Sequence, residues 1–334
     1  MITLKYLAKQ LKVSVSTVSK ALSDSNEIGK DTIEKVKNLA KELNYQPNKV
    51  ALSLKQSQTK TIGVIIPNIL NRFFARALFG IQNEATKLGY SIITCVTNEQ
   101  LDKEEESISI LSNGSVDGFI LAVSEETLVS SSNQHIKALI NKNIPLVMFD
   151  RNLSNVDCNK VMIDDFKTAY DLTKMLIENG RTSFAFISTI EDLNVGKLRR
   201  MGFENALNEH NHLNLKDLIL IIDNDKDYQV QIKTLLSNNN LDAVISADNI
   251  TGTIAVNVAH SIGYHIPKDV SIIGFTDEQV SNLSVPKLSY VNQNAETIGE
   301  NALKMIIDNL KDKDAGIRHR TLKIPVNIVH KETT

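Results

Sequence analysis

The sequence has no tryptophan, six prolines and only two cysteines, Cys95 and Cys158. Two thiols, each in or beside an apolar run, build no disulfide scaffold; they read as reduced cysteines of a cytoplasmic protein. Clustered histidines are missing beside them, so no zinc site is expected, nor any other metal or cofactor. No apolar run approaches the roughly 18 residues of a membrane span, and a membrane partner is not expected. The start, Met1-Ile2-Thr3-Leu4-Lys5-Tyr6, lacks the charged-then-apolar pattern of a secretory signal. Catalytic signatures are also missing. There is no GxSxG, HExxH or dinucleotide fingerprint, and Gly196-Lys197 lacks the flanking residues of a phosphate loop. The chain reads as a non-enzyme.

Arginine is missing from the first sixty residues, where eleven lysines face five acids. That segment carries +6 and the remainder −8, although the whole chain is only −2. A basic head on an acidic body points to a polyanionic partner for the head. With 334 residues the chain is long enough for two or three domains.

Leu4, Leu7, Ala8 and Leu11 fall at i, i+3, i+4 and i+7, which predicts a first helix over residues 3–10. Lys12-Val13-Ser14 makes a turn, and Ser14 caps a second helix over Val15–Leu22. Two short helices joined this way form a helix-turn-helix. The second presents Val15, Ser16, Thr17, Ser19 and Lys20, groups compact enough to enter a major groove. A third helix is predicted from about Lys30 to Leu43, with Asp31-x-x-Glu34 as a weak capping signal. Pro47 then stops the chain's helical course. The short stretch Asn48 to Lys55, with Val50, Ala51 and Leu54 apolar, is below the roughly 12–15 residues an isolated helix needs. It is predicted to form only against a partner.

Beyond residue 60, nine strand-like runs alternate with eight helix-length runs, from Thr61–Ile66 through Glu296–Leu310. Continuous apolar strands between helices mean parallel sheets covered on both faces. The count is about twice what one doubly wound sheet needs, with a break near Asp157–Lys160. Ligands of such sheets lie beyond the strands' carboxyl ends. The groups found there are Asn68 with Phe73 and Phe74, then Asp150-Arg151, then Arg199 on the helix after Ser188-Thr189, then Asp248-Asn249, then Thr276-Asp277. An aromatic platform with carboxylates, amides and an arginine suits a polyhydroxylated, sugar-like effector. Simpler roles stand beside these: core packing for one of the phenylalanines, a local Asp150–Arg151 pair, and helix capping by Asp248 or Asn249.

The motifs Thr3-Leu4…Leu7-Ala8…Val13-Ser14-Val15-Ser16-Thr17-Val18-Ser19, Leu43-Asn44-Tyr45-Gln46-Pro47-Asn48 and Ala51…Leu54 together resemble the lactose/galactose-repressor (LacI/GalR) family, and the resemblance runs over nearly the whole chain. It implies an α/β fold of two doubly wound parallel-sheet lobes, periplasmic-binding-protein-like, after an all-α helix-turn-helix domain. The implied domains are 1–46, a hinge and linker at 47–60, a first lobe at 61–158 plus 291–320, and a second at 159–290 plus 321–334. The implied function is a transcriptional repressor that binds a pseudo-palindromic operator as a homodimer under effector control. Val15, Ser16 and Lys20 would meet bases; Thr3, Lys5, Thr17, Ser19, Asn48, Lys49 and Lys55 would support them on the DNA. Val50 and Ala51 would pair two hinge helices in the minor groove, and Leu54 would wedge between base pairs. Arg199 stands at the family's effector-binding arginine position. Thr276 departs from the family, which usually has Asp there, and leaves Asp277 as a substitute. The end of the sequence, His330 to Thr334, has no leucine heptad, which favours a dimer over a tetramer. A transport protein of the same architecture would have a leader and no DNA head; a sugar-processing enzyme would need a nucleophile or paired acids in a recognisable motif.

Overall fold

The first unit of the chain, Met1–Thr59, is built on α1 (Leu4–Leu11), α2 (Val15–Leu22) and α3 (Lys30–Glu42). Across the whole chain, the computed structural model describes residues 2–45, 58–210, 216–311 and 319–334. Thr3 caps α1 by accepting from the Tyr6 amide at 3.3 Å, and Ser14 caps α2 by accepting from the Thr17 amide at 3.0 Å. Each bond satisfies one of the amides a helix start leaves unpaired. The α1–α2 turn needs a left-handed residue, supplied by Lys12 at φ 53°. The expected Asp31-x-x-Glu34 cap does not form. Gly29 holds the cap position without a side-chain bond, and Asp31 contributes only its charge to the first turn. Leu7, Val18, Ala21 and Val36 are fully buried and join the three helices into one small core.

The second unit, Lys60–Thr334, contains two six-stranded sheets. The first lobe opens with β1 (Thr61–Ile66), α4 (Arg72–Leu88), β2 (Ser91–Val96), α5 (Leu101–Leu111) and β3 (Gly118–Leu121). It continues with α6 (Glu125–Ser130), α7 (Gln134–Asn141), β4 (Leu146–Phe149) and β5 (Asn159–Met162). The second lobe takes α8 (Asp165–Glu178), β6 (Ser183–Ser188), α9 (Asn194–Glu209), β7 (Lys216–Ile221) and α10 (Tyr228–Asn238). Then follow β8 (Ala243–Ser246), α11 (Thr251–Ser261), β9 (Ser271–Phe275), α12 (Glu278–Ser281) and β10 (Ser289–Asn292). Finally come α13 (Ala295–Lys311), β11 (Thr321–Lys323) and β12 (Asn327–Val329).

The strand orders are β11-β5-β4-β3-β1-β2 and β12-β10-β9-β8-β6-β7. All pairs are parallel except β10 with β12. Apart from the late strands β11 and β12, both lobes share one order, in which the first strand lies between the second and the third. This places a topological switch point between β1 and β3 in one lobe and between β6 and β8 in the other. Strands β3, β4, β8 and β9 are buried along their whole length, as parallel strands covered on both faces must be.

The chain passes between lobes three times, but not at the expected boundaries. Strand β5 pairs with β4 and β11, so residues 159–162 belong to the first sheet and the crossing follows them, rather than residue 158. Strand β10 pairs with β9, so residues 291 and 292 stay in the second sheet. Strand β11 pairs with β5, so 321–323 stay in the first. Sheet hydrogen bonding decides each case, because a strand belongs to the ladder that satisfies its amides. Helix α13 returns to pack on α4, where Gly80 meets the Glu296 carbonyl and Gly299 meets the Ala77 carbonyl. Backbones this close leave no room for a side chain at either position. Among the described residues, no helix is long and apolar enough to cross a membrane.

Candidate functional site

Helix α2 carries the candidate DNA face. Val15 is 40% exposed, Ser16 is exposed, and Thr17, Ser19 and Lys20 are half-buried. The hydroxyls are tied together: Ser14 Oγ lies 2.7 Å from Ser16 Oγ and 2.8 Å from Thr17 Oγ1. Ser16 and Thr17 are therefore both tied to the turn through their hydroxyls, while Val15 remains open. Lys20 pairs with Glu27 through its ammonium. Thr3 and Lys5 are exposed on α1 and its cap. Asn48, Lys49, Ala51, Leu54 and Lys55 lie outside the described residues.

The second unit holds a cavity of about 340 Å³ between its lobes. It opens where the strand order predicts. Asn68 and Glu125 reach it from the ends of β1 and β3, Thr189 and Asp248 from the ends of β6 and β8. Of the ten residues expected at this site, eight line it. Asn68, Phe73, Phe74, Asp150 and Arg151 come from the first lobe; Arg199, Asp248 and Asn249 come from the second.

The two exceptions are Thr276 and Asp277, which border a separate pocket of about 30 Å³. Thr276 donates to the Asn249 carbonyl at 3.0 Å and so braces a lining residue instead of facing the cavity. Asp277 caps α12, accepting from the Gln279 and Val280 amides, and also takes Arg72 Nε at 2.6 Å. Those bonds hold its carboxylate at the small pocket.

Asp248 and Arg199 are heavily engaged. Asp248 accepts from the amides of Thr189, Ile250 and Thr251 and from the Thr251 hydroxyl. The capping role read beside the ligand role is thus real, and the carboxylate keeps a cavity edge as well. Arg199 is only 3% exposed. Its Nε donates to Asp165 at 2.7 Å, Nη1 to the Ala247 carbonyl at 2.6 Å and Nη2 to Gln293 at 2.8 Å. Its Cζ lies 4.0 Å from the centroid of the Phe275 ring, a cation–π contact. Arg151 donates to Glu99 at 2.6 Å and sits 5.2 Å from the Phe74 ring. The Asp150–Arg151 local pair does not form; Arg151 turns to Glu99.

Burial pushes the Asp150 carboxyl up to about 6; neighbouring Asp165 adds to this, while Arg151 and Arg199 oppose it. Burial also raises Glu125, with Glu99 adding to it. Both groups are acids whose ionised forms lack enough compensating charge.

Sequence reasoning missed Glu99, Glu125, Asp165 and Gln293. Glu125 follows β3, where inspection of that strand's end finds it. Gln293 follows β10, four residues that did not stand out as a strand. Asp165 starts α8 and acts from behind Arg199.

Family models match both units. The model for bacterial regulatory proteins of the lacI family matches residues 3–48, and that for a periplasmic binding protein-like domain matches residues 173–334. The HTH-type transcriptional regulator RegA of Clostridium saccharobutylicum is 32% identical over 93% of this chain and 93% of its own length. The HTH-type transcriptional repressor PurR of Aliivibrio salmonicida is 30% identical over 94% of this chain and 93% of its own. The Lac repressor dimer, solved with operator and the anti-inducer ONPF, matches the fold with a TM-score of 0.87 at 19% identity, over 99% of this chain and 98% of that one. A helix-turn-helix head and a two-lobed ligand domain, matched from end to end by named transcriptional regulators, place this chain in the lacI family of bacterial regulatory proteins.

Proposed function

We propose that the protein is a repressor that binds a pseudo-palindromic operator as a homodimer and is controlled by a small sugar-like effector in the cleft between its lobes. The observation that carries this reading is one chain joining an exposed α2 face to a cavity at two facing switch points. Val15 offers apolar contact to a thymine methyl, while Ser16 and Lys20 offer polar contact to base edges. Thr3 and Lys5, with Thr17 and Ser19, support the helix against the backbone. The hinge residues Asn48, Lys49, Ala51, Leu54 and Lys55 extend the interface into the minor groove.

A two-fold dimer fits the reading, because two heads on one symmetry axis match a pseudo-palindrome. The second unit exposes Leu70, Phe79, Leu283 and Val285, apolar side chains that a subunit interface would cover. In the cleft, Phe73 offers a stacking face and Asp150, Asn249 and Asn68 offer hydrogen bonds to a ligand. Arg199, with three bonds already made, acts chiefly as the strut that ties α9, α8 and the β8 end to the cavity wall.

Selection of binding sites from random duplex DNA tests the reading. An inverted repeat bound by two chains, with affinity altered by a sugar-class ligand, is the expected result. Sites without two-fold symmetry, or a sedimentation mass of four chains in dilute solution, overturn the dimeric form. Turnover of a cleft-bound sugar by the purified protein overturns the regulatory one.

A further inference from the structure

The charge of the cavity narrows the ligand beyond "sugar-like", and the narrowing rests on the effector reading above. Four carboxylates line it, Glu99, Glu125, Asp150 and Asp248, against two guanidiniums, Arg151 and Arg199. Both guanidiniums already have an acid: Arg151 has Glu99 and Arg199 has Asp165. Asp248 is saturated by amides and a hydroxyl. Asp150 and Glu125 are left over. Asp150 is only 8% exposed, and among the described residues its carboxylate accepts no hydrogen bond. A carboxylate at the cavity wall that no protein donor satisfies is open to a donor on a ligand.

Three ligand chemistries compete for that place. An anionic ligand, phosphorylated or carboxylated, finds both cavity guanidiniums already paired with acids and meets two further carboxylates. A neutral polyol donates hydroxyls but leaves the negative charge in a low-dielectric site, where charge is felt most. A protonated amine donates and neutralises at once. The aromatic faces agree. Phe74 and Phe275 already carry Arg151 and Arg199, which leaves the rings of Phe73 and Tyr228 on the cavity wall. Aromatic rings beside carboxylates on a cavity wall favour a cation.

We propose that the effector carries a protonated amine among its hydroxyls, the chemistry of an amino sugar, with the ammonium seated on Asp150 in a cavity that Glu125 also lines, and that the cavity rejects phosphorylated ligands. The raised Asp150 and Glu125 carboxyls accord with this: burial is the main cause of both shifts, and a bound ammonium offsets the cost of charging a buried acid.

Calorimetry on the full chain with matched hexoses tests it: glucose, glucosamine and glucose 6-phosphate, then galactose, galactosamine and galactose 6-phosphate. The amino sugar of at least one set should bind about tenfold tighter than its neutral parent, the strength of one charge-assisted bond. The phosphorylated member should bind at least about tenfold weaker than the parent. Asp150→Asn should shrink the amino sugar's advantage to about twofold or less; Glu125→Gln, which removes a second cavity carboxylate, should also reduce it and serves if the first variant folds poorly. A neutral sugar binding as tightly as its amino partner, or a phosphorylated one binding best, overturns the proposal while leaving effector control intact. No heat from any compound, with operator affinity unchanged by all of them, overturns both.

Discussion

Asp150 sits at φ 57° with a carboxylate that burial has lifted from 3.8 to about 6. A raised acid is favoured when protonated. Its penalty is absent below about pH 4, grows as pH rises through 6, and is complete at neutral pH. The difference is on the order of 2–3 kcal/mol. Asparagine tolerates the left-handed backbone, so Asp150→Asn changes charge with little strain. Its melting temperature should exceed the parent's by several degrees at pH 7.5, and the gain should vanish near pH 4. Equal gains at both values would mean that the charge is compensated in the free protein. In the head, Lys20 shows the opposite economy. Its partner Glu27 is 68% exposed, so the pair is worth about 0.2–1 kcal/mol and DNA can break it. Glu27→Gln should tighten operator binding about two- to fivefold at low salt, with the gain fading as salt screens it. An unchanged titration would place Lys20 away from the DNA.

At the level of elements, α4 and α13 matter most, because their crossing fastens the returning chain to the first lobe. Gly80 and Gly299 press on opposing backbone carbonyls, which cannot swing aside as a side chain does. Gly80→Ala should therefore cost about 2 kcal/mol or more, read as a lowered urea midpoint of the body, with the head's own unfolding unaltered. The regular elements were legible in the sequence because each satisfied a local rule. Ser14 caps α2 as read, and Thr61–Ile66 and Ser183–Ser188 are the strands their apolar runs predict. What escaped were elements defined by partners. Strand β11 has three residues and exists because β5 offers it an edge; β10 has four and is held between β9 and β12. Gln293 follows β10, so it stayed hidden with it. Asp277 misled for a related reason: a strand-end position tells which residue is near the cleft, but helix capping turned its carboxylate elsewhere.

At the scale of the ligand-binding unit, the Arg72–Asp277 pair spans the lobes. Arg72 opens α4 in the first and Asp277 follows β9 in the second, with Nε and Oδ2 2.6 Å apart. The bond borders the small pocket beside the cavity, so it touches the lobe arrangement without lining the ligand site. A contact made only when the lobes lie this close biases them toward closure, and any ligand that binds both walls benefits by the same free energy. The arginine side chain is 37% exposed and the aspartate 18%, so solvent limits the pair to on the order of 1 kcal/mol. Arg72→Gln removes the charge while Asp277 keeps its cap on α12. The variant should lose about three- to tenfold in effector affinity, with the change chiefly in the dissociation rate. Small-angle scattering of the ligand-free variant should give a larger radius of gyration than the parent, and saturating ligand should bring the two together. An unchanged radius combined with the affinity loss would assign Arg72 to the cavity wall rather than to closure; unchanged values of both would mean that the lobes keep this arrangement without the bridge.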